Sequence, residues 1–343
     1  MINVLFHISK FIISIRRSKI IRLFLLTILI LFVGALGLNF FEKTPHVIDA
    51  FWWSFVTITT VGYGDITPST VGGKIIGVVV MVFGIGLLGM FTATIASIFV
   101  EGKLKEGKGV KAVKVKDHFL ICGWSYKAKE IIAELRADKK VKNKPIVIVA
   151  DIPEKPLEDE NTFFIHGEVN AEVMEKANLQ EASIVMILSD ENLDSYSRDA
   201  KVILNTLTIR KLNPHVYICV EISDAKNMQH GELAGANEII VIGELSSNLL
   251  VQAALDHGIT QIITELVSNR YGNELYKIKP PQNLVGLQFI EALRILKKEH
   301  NAIALAVESL NDKKLTANPP MEYIIQTGDH LILIAQERPN FGK

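Results

Sequence analysis

The sequence predicts a two-span α-helical membrane domain followed by an α/β doubly wound domain. Two long apolar runs lie in the first third of the 343-residue chain. From His118 onwards, short runs rich in β-branched residues alternate with segments of helical pattern. This alternation predicts a parallel sheet covered by helices on both faces. The chain beyond about Lys116 is long enough for a substantial core, which we expect to form two lobes.

The two apolar runs, Leu23–Phe41 and Ile75–Val100, contain no charged residue. A helix needs about 20 apolar residues to cross the hydrocarbon core of a bilayer, so both runs qualify as spans, which we place at residues 20–41 and 75–100. The first run is too long for a cleaved signal peptide, and no small-residue cleavage pattern follows it. The sequence therefore predicts a multi-pass protein of the cell membrane.

Basic residues flank both spans on the side away from their connecting loop, which contains only Lys43 and Lys74. Those outside the loop are Lys10, Arg16, Arg17, Lys19 and Arg22 before the first span, and Lys103, Lys105, Lys108, Lys111, Lys114 and Lys116 after the second. By the positive-inside rule, both termini are predicted to be cytoplasmic. Residues 1–19 suit either an interfacial amphipathic helix or a disordered tail.

Composition narrows the class of function. The formal net charge is zero, which gives no indication of nucleic-acid binding. Cys122 and Cys219 are the only cysteines and have no CxxC partner, so we expect reduced thiols in buried strands. None of the nine histidines shows metal-ligand spacing, which argues against a zinc site. No catalytic acid–base pair is placed by the sequence, and we predict that the protein is not an enzyme.

The loop between the spans contains alternating glycines. It reads Thr59-Thr60-Val61-Gly62-Tyr63-Gly64-Asp65. Non-helical backbone is tolerated at membrane depth only where protein buries it or where it lines an aqueous cavity. Glycine enters left-handed conformations without steric cost, so alternate carbonyls can be turned towards one axis.

Residues Thr60–Asp65 resemble the selectivity filter of the potassium channel family. The resemblance implies a homotetramer in the lipid bilayer, in which four loops replace the hydration shell of K⁺ with carbonyl oxygens. The implied filter residues are Thr60, Val61, Gly62, Tyr63 and Gly64.

The segment before the filter, Asp49–Thr59, is predicted to be a short helix whose C-terminal dipole faces a cation. We place the pore helix and filter at residues 47–65. The family resemblance implies that Trp52, Trp53 and Asp65 support the filter. Anchoring at the membrane interface would also explain the two tryptophans. Several family members carry a glutamate that pairs with the aspartate after the filter. Val56 stands at that position, so Asp65 is predicted to lack this partner.

Four glycines in the second span need an explanation, because each lowers helix propensity by about 1 kcal/mol relative to alanine. They are Gly77, Gly84, Gly86 and Gly89. Close helix packing is one explanation, since Gly89, Ala93 and Ser97 form a small-xxx-small pattern. Gating is the other, since Gly84 aligns with the inner-helix hinge glycine of the family. On the hinge hypothesis, Gly84→Ala reduces open probability and leaves selectivity intact.

The second half of the chain predicts six strands and four helices. The strands are His118–Cys122, Ile146–Asp151, Phe163–His166, Ile184–Leu188, Val216–Val220 and Glu238–Ile242; the helices are Ala128–Leu135, Glu172–Ala177, Ser195–Leu212 and Ala225–Ala234. Gly123 follows the first strand as in the dinucleotide fingerprint of Rossmann-like domains, but Ser125 and Ala128 replace the later glycines. Asp151 ends the second strand, where an acidic residue binds ribose hydroxyls.

This half resembles the regulator-of-potassium-conductance (RCK) domain. The matches are Cys122–Ser125, His166–Glu168, Lys176–Asn178 and Ala234–Glu238, and the region from Gly286 to Gly328-Asp329-His330 resembles the small α+β C-terminal lobe. The resemblance implies a cytoplasmic gating ring that pulls on the second span when a ligand binds. The expected segments are a linker at 101–116, the N-lobe at 117–245, subunit-crossover helices at 246–270 and the C-lobe at 271–343.

The sequence supports two alternative regulatory ligands. An adenine nucleotide would use Gly123, Ser125, Asp151 and Glu168. Calcium is the alternative, because Glu221 aligns with a ligand of calcium-gated relatives. Ser223 occupies a second ligand position, so that site is depleted for an ion that takes six to eight oxygens. Asp190, Glu191 and Asp194 form another acidic candidate, although acids at a helix N-terminus usually act as caps.

Two alternatives to a ligand-gated potassium channel arise. The first is a membrane-tethered oxidoreductase, which is disfavoured because the sequence places no catalytic acid–base pair. A membrane-bound regulatory subunit of a separate potassium transporter would have no use for Thr60–Gly64.

The gating ring implied by the resemblance can also contain extra soluble copies of the RCK domain. No methionine lies between Met90 and Met174, so such a copy would start at a GUG codon, with Val110 or Val113 suitably placed.

Overall fold

The computed structural model describes residues 19–42, 46–310 and 314–341. The chain divides into two compact units between Lys105 and Glu106. The predicted N-terminal interfacial segment at residues 1–19 lies outside the described residues except for Lys19.

The first unit contains three helices: α1 (Lys19–Glu42), α2 (Val47–Ile58) and α3 (Val71–Gly107). Of these, α1 and α3 are long and apolar enough to cross a membrane. The helix α3 extends past both ends of the predicted span at 75–100. Its last turns are stabilised by an ion pair of 2.7 Å between Glu101 and Lys105, spaced i,i+4.

Small residues bring α1 close to its neighbours. A Cβ at Gly34 would lie 2.2 Å from the Ser54 Oγ of α2, so only glycine allows this approach. Phe32 and Phe51 meet edge to face with ring centroids 4.9 Å apart. A buried cluster of Ala35, Leu38, Ala50 and Trp53 completes the contact, and it fixes α2 and therefore the loop that follows α2.

The second unit contains a six-stranded parallel sheet of order β3-β2-β1-β4-β5-β6. Its strands are β1 (His118–Cys122), β2 (Ile146–Ala150), β3 (Thr162–His166), β4 (Ala182–Ile187), β5 (Tyr217–Ile222) and β6 (Glu238–Val241). Every residue of β1 and β2 is buried, as expected for strands covered on both faces. The predicted doubly wound fold is confirmed, and the strand order reverses between β1 and β4.

The helices of this sheet are α4 (Tyr126–Ala137), α5 (Ala171–Lys176), α6 (Ser195–Leu212) and α7 (Met228–Leu233). The prediction of one helix at Ala225–Ala234 was wrong in detail, because Ala225–Asn227 is a 3-10 turn capped by the Asp224 side chain. Likewise β6 ends at Val241, since α8 (Ile242–Leu255) begins at the next residue.

A second, smaller lobe follows α8 and α9 (Ile259–Val267). It is a four-stranded antiparallel sheet of order β7-β10-β8-β9, made of β7 (Glu274–Ile278), β8 (Ile303–Glu308), β9 (Leu315–Ala317) and β10 (His330–Ala335). The amphipathic helix α10 (Phe289–His300) packs on it through Phe289, Ala292 and Leu296. This confirms the predicted α+β character of the lobe.

Candidate functional site

The backbone of the loop after α2 alternates in handedness. Thr60, Gly62 and Gly64 have φ of 62°, 51° and 76°, whereas φ is negative at Val61 and Tyr63. The expected left-handed conformation is confirmed at both glycines, and the structure adds Thr60. Alternation of this kind turns successive carbonyl groups towards the same side of the chain.

The amide groups of the same loop are used by α2. Val61 N and Gly62 N both donate to the Val56 carbonyl oxygen, at 3.0 and 3.3 Å, and Thr60 N donates to Thr57 O at 3.1 Å. With these amides directed back at the helix, the carbonyl oxygens are the polar atoms with which the loop can coordinate a cation.

Trp52 connects the helix to the far end of this loop. Its Nε1 donates to Asp65 Oδ2 at 2.8 Å, and its indole stacks on the Tyr63 ring with centroids 5.9 Å apart and planes at 6°. Asp65 therefore has a partner in Trp52, although Val56 replaces the glutamate that pairs with it in other family members. Trp53, in contrast, is buried in the core of the unit.

Gly84 contacts the end of α2. A Cβ built at Gly84 would lie 2.4 Å from Ile58 Cγ1 and 3.1 Å from Ile58 Cα. At Gly86 and Gly89 nothing in the described chain lies within 4 Å of such an atom. Close packing therefore explains Gly84 within a single chain and does not explain the other two glycines.

Glu42 holds the segment that follows the loop, and sequence reasoning missed it. Its Oε1 accepts from Thr70 N at 2.8 Å and from Thr70 Oγ1 at 2.7 Å, and its Oε2 accepts from Ser69 Oγ at 2.7 Å. The carboxylate thus joins the end of α1 to the start of α3, where a negative charge suits the helix dipole.

In the second unit, a crevice opens at the carboxyl ends of β1 and β4, where the strand order reverses. Such a switch point is the usual ligand position in doubly wound sheets. Of the predicted nucleotide contacts, the crevice is lined by Gly123, Asp151 and Glu168. Gly123 has φ of 104°, and the side chains of Asp151 and Glu168 are exposed.

The fourth predicted nucleotide contact, Ser125, is not among the residues that line this crevice. It is the N-cap residue of α4, and its Oγ is buried without a hydrogen-bond partner among the described residues. Lys201, which the sequence did not indicate, lies in the crevice with its Nζ 2.9 Å from Glu168 and 3.3 Å from Asp190. Cys122 is no nucleophile here, since burial raises the pKa of its thiol to about 12.

The four predicted metal-binding carboxylates are divided among protein partners. Glu221 and Glu191 both pair with Lys127, at 2.7 and 3.0 Å, and Asp190 pairs with Lys201. Asp194 caps α6 by accepting from Tyr196 N and Ser197 N, which confirms the interpretation as a cap at that residue. In the part of the chain that the structure describes, no group of three or more His, Cys, Asp or Glu side chains could hold a metal ion.

The segment after α3 is bonded to the sheet domain. Gly107 O accepts from Lys155 N at 2.7 Å, Gly109 O accepts from His166 N at 3.0 Å, and Val113 N donates to Lys176 O at 2.9 Å. A Cβ at Gly109, where φ is 63°, would lie 2.4 Å from His166 N. Residues 107–113 therefore follow the N-lobe closely.

Sequence comparison assigns both halves of the chain. Residues 24–101 match the ion channel family, residues 114–220 match the calcium-activated potassium channel slowpoke-like RCK domain, and residues 239–341 match the Castor and Pollux family, described as part of voltage-gated ion channel. The fold and the matches define the class as a membrane ion channel with an RCK domain.

Individual relatives narrow the class. The calcium-gated potassium channel TvoK of Thermoplasma volcanium is 29% identical over 95% of this chain and 94% of its own. The putative potassium channel protein YugO of Bacillus subtilis is 27% identical over 85% and 88%. Over most of its length the chain is therefore similar to proteins described as potassium channels, and its second half is similar to RCK domains.

Among solved structures, the human SLO3 gating ring aligns at 20% identity with a TM-score of 0.52, over 64% of this chain and 44% of that chain. At this identity the likeness shows the fold alone.

Proposed function

We propose that the protein is a potassium-selective channel, opened or closed by a ligand of its RCK domain. The observation that carries the proposal is the alternation of φ sign from Thr60 to Gly64, because it lines one side of the loop with carbonyl oxygens. Rings of such carbonyls replace the hydration shell of K⁺. The relatives are channels, so the alternative of a regulatory subunit for a separate transporter is not favoured.

A homotetramer supplies the other three loops. The loop from Thr60 to Gly64 is non-helical and exposed in one chain, with Val61 and Tyr63 at 53% and 68% exposure. Backbone of this kind is tolerated at membrane depth only where protein covers it or where it lines an aqueous cavity, which further copies of the chain would provide. In the second unit, α8 and α9 bury none of their residues and expose Leu250, Leu255 and Val267. Apolar helices of this kind support contacts between subunits of a gating ring.

Flux from liposomes tests the channel. Vesicles containing the purified protein should release K⁺ and retain Na⁺. A Gly62→Ala variant is the control, because a side chain in the left-handed region costs about 1–2 kcal/mol at each of four loops. Equal Na⁺ and K⁺ flux, or flux that persists in the control, would contradict the proposal.

For the gating ligand we propose an adenine nucleotide in the crevice between β1 and β4. The residues present fit such a ligand. Gly123 lets the chain turn closely past the crevice, the N-terminus of α4, which follows Ser125 with its buried Oγ, suits a phosphate, and Asp151 can accept from ribose hydroxyls. Lys201 adds a positive charge in the same crevice.

Calcium fits the described carboxylates poorly. A Ca²⁺ ion takes six to eight oxygen ligands, whereas Glu221, Glu191 and Asp190 are each paired with a lysine. Melting curves of the full-length protein with ADP, NAD or CaCl₂ separate the two ligands. Nucleotide binding should raise Tm by mass action, and Asp151→Asn should remove that rise. A rise with CaCl₂ alone would contradict the nucleotide assignment.

The bonded segment after α3 provides the coupling. Because Gly107 O and Gly109 O accept from backbone amides of the N-lobe, a displacement of the N-lobe moves the end of α3 directly. A ligand needs only different affinities for the two ring states, and a factor of 100 corresponds to about 2.7 kcal/mol.

We further propose that both termini are cytoplasmic and that soluble RCK copies can complete the ring. Lys103, Lys105 and Lys108, which follow the second span, support the orientation. Cysteine labelling at exposed positions from outside intact cells tests it. Intact mass analysis tests the extra copies: a second chain starting at Val110 or Val113 is expected, and a single species would contradict them.

A further inference from the structure

One lysine joins three separate segments at the carboxyl edge of the parallel sheet. Lys127 is the second residue of α4, and its Nζ lies 2.7 Å from Glu221 Oε1 in β5 and 3.0 Å from Glu191 Oε1 in the loop after β4. These segments are far apart in sequence; Lys127 and Glu221 are separated by 94 positions.

Glu221 is the most enclosed member of the group. Its side chain is 9% exposed, and Ser189 Oγ donates to the same Oε1 at 2.5 Å. A buried carboxylate is strongly unfavourable unless it is paired and hydrogen-bonded. Lys127 supplies the compensating charge. Partial burial opposes that charge, but the hydrogen bonds to Glu221 and Glu191 outweigh it and raise the pKa of the Lys127 ammonium.

The position of this ammonium conflicts with metal binding. Both carboxylates contact the Lys127 Nζ. A divalent cation bound between them would lie in contact with this ammonium group and would be repelled by its positive charge. The similar channel TvoK is named as calcium-gated, so this pair of carboxylates differs from what that relationship leads one to expect.

We propose that Lys127 is a tethered cation: it lies between Glu221 and Glu191 in place of a divalent ion and excludes such ions from this pair of carboxylates. This proposal does not depend on the proposed channel function, because metal binding is tested through Tm and without any measurement of ion conduction. Loss of the lysine should leave two carboxylates and the Ser189 hydroxyl, all oxygen donors of the kind that Ca²⁺ and Mn²⁺ prefer.

The experiment measures Tm of the full-length protein in EDTA and in 1 mM CaCl₂ or MnCl₂. Lys127→Met should lower Tm in EDTA and gain a metal-dependent rise of about 2–4 °C. Adding Glu221→Gln to Lys127→Met should abolish the metal response and restore part of the lost Tm, since the buried charge is then gone. Lys129→Met, on the exposed side of the same helix, and Lys127→Arg should behave like wild type.

Two results would overturn the proposal. The first is a metal response of the wild-type protein that Glu221→Gln removes, because metal would then bind beside Lys127. The second is a Lys127→Met protein that folds, as judged by a cooperative melt, yet shows no response that depends on Glu221. If Lys127→Met does not fold, the Lys127→Met/Glu221→Gln protein decides, since removal of the buried charge must then restore a cooperative melt, and a double variant that also fails to melt cooperatively would contradict the proposal.

Discussion

Trp52 donates its indole N–H to the Asp65 carboxylate at 2.8 Å, across the loop that we assign as the selectivity filter. The same ring stacks on Tyr63, so one side chain of α2 holds two residues at the C-terminal end of the loop. The glutamate found at the position of Val56 in other family members is thus not required to give Asp65 a partner.

Trp52→Phe should destabilise the conducting filter. The phenyl ring keeps the stacking surface for Tyr63 but cannot donate to Asp65. A hydrogen bond of this kind contributes about 1 kcal/mol, so the ratio of non-conducting to conducting filters should rise roughly fivefold in each subunit. Faster decay of K⁺ current with unchanged K⁺/Na⁺ selectivity is the expected result in bilayer recordings.

The matched control for this substitution is Asp65→Asn, which retains an oxygen acceptor for the Trp52 N–H. Its current should decay more slowly than that of Trp52→Phe. If Trp52→Phe decays like wild type, the hydrogen bond has no part in filter stability.

Gly84→Ala tests whether this glycine serves packing or bending. The new Cβ would meet Ile58 at 2.4 Å from Cγ1, and Ile58 ends α2 immediately before the filter loop. On the packing explanation, the substitution disturbs the filter and changes selectivity or lowers unitary conductance. The hinge hypothesis instead expects lower open probability with normal selectivity.

Gly86→Ala is the control, since a Cβ there meets nothing within 4 Å in the described chain. Single-channel recordings of both variants separate the explanations. Normal selectivity and conductance in Gly84→Ala, combined with low open probability, would exclude the packing explanation.

His118 should make the second unit less stable in acid. It is fully buried at the start of β1, with Nε2 3.1 Å from Ala177 O and with Asp117 and Glu181 nearby. Burial lowers the pKa of its imidazole below the ordinary 6.5. Between the lowered and ordinary values, the unfolded chain binds a proton that the folded chain refuses, so the free energy of unfolding falls as pH drops through 6.5.

A single group of this kind contributes at most about 1.4 kcal/mol per pH unit. Denaturant melts from pH 7.5 to 5 should show the fall in wild type and a flatter profile in His118→Gln. The exposed His257→Gln serves as control. An identical pH slope in wild type and His118→Gln would contradict the assignment.

Local patterns explain why much of this structure could be predicted. Each apolar run spans a bilayer on its own, and the strand His118–Cys122 and the helix Ser195–Leu212 have the predicted bounds because their periodicity and caps lie within a few neighbouring residues. The family prediction rested on an equally local match at Thr60–Asp65.

The remaining features depend on contacts between distant parts of the chain. Nothing near Lys127 indicates its pairing with Glu221, and nothing near Glu42 indicates its three hydrogen bonds to Ser69 and Thr70. Residue type also misleads at Thr60, whose left-handed φ is unusual for a β-branched residue. Such a conformation persists only because α2 binds the loop amides on either side.

Gly109→Ala should separate ligand binding from gating. Its Cβ would lie 2.4 Å from the backbone nitrogen of His166, and φ of 63° disfavours any side chain, so the segment must leave the N-lobe and lose the hydrogen bond from His166 N to Gly109 O. The ligand-dependent rise in Tm should persist, because Gly109 is not among the residues that line the crevice, while the change in K⁺ flux on adding ligand should shrink. Gly102→Ala is the control, since it lies within α3 with open space around it and should keep the full response. If the Gly109→Ala channel still responds fully to ligand, the gating movement reaches α3 by another route, because loss of the hydrogen bond between residue 109 and the N-lobe would then have no effect on gating.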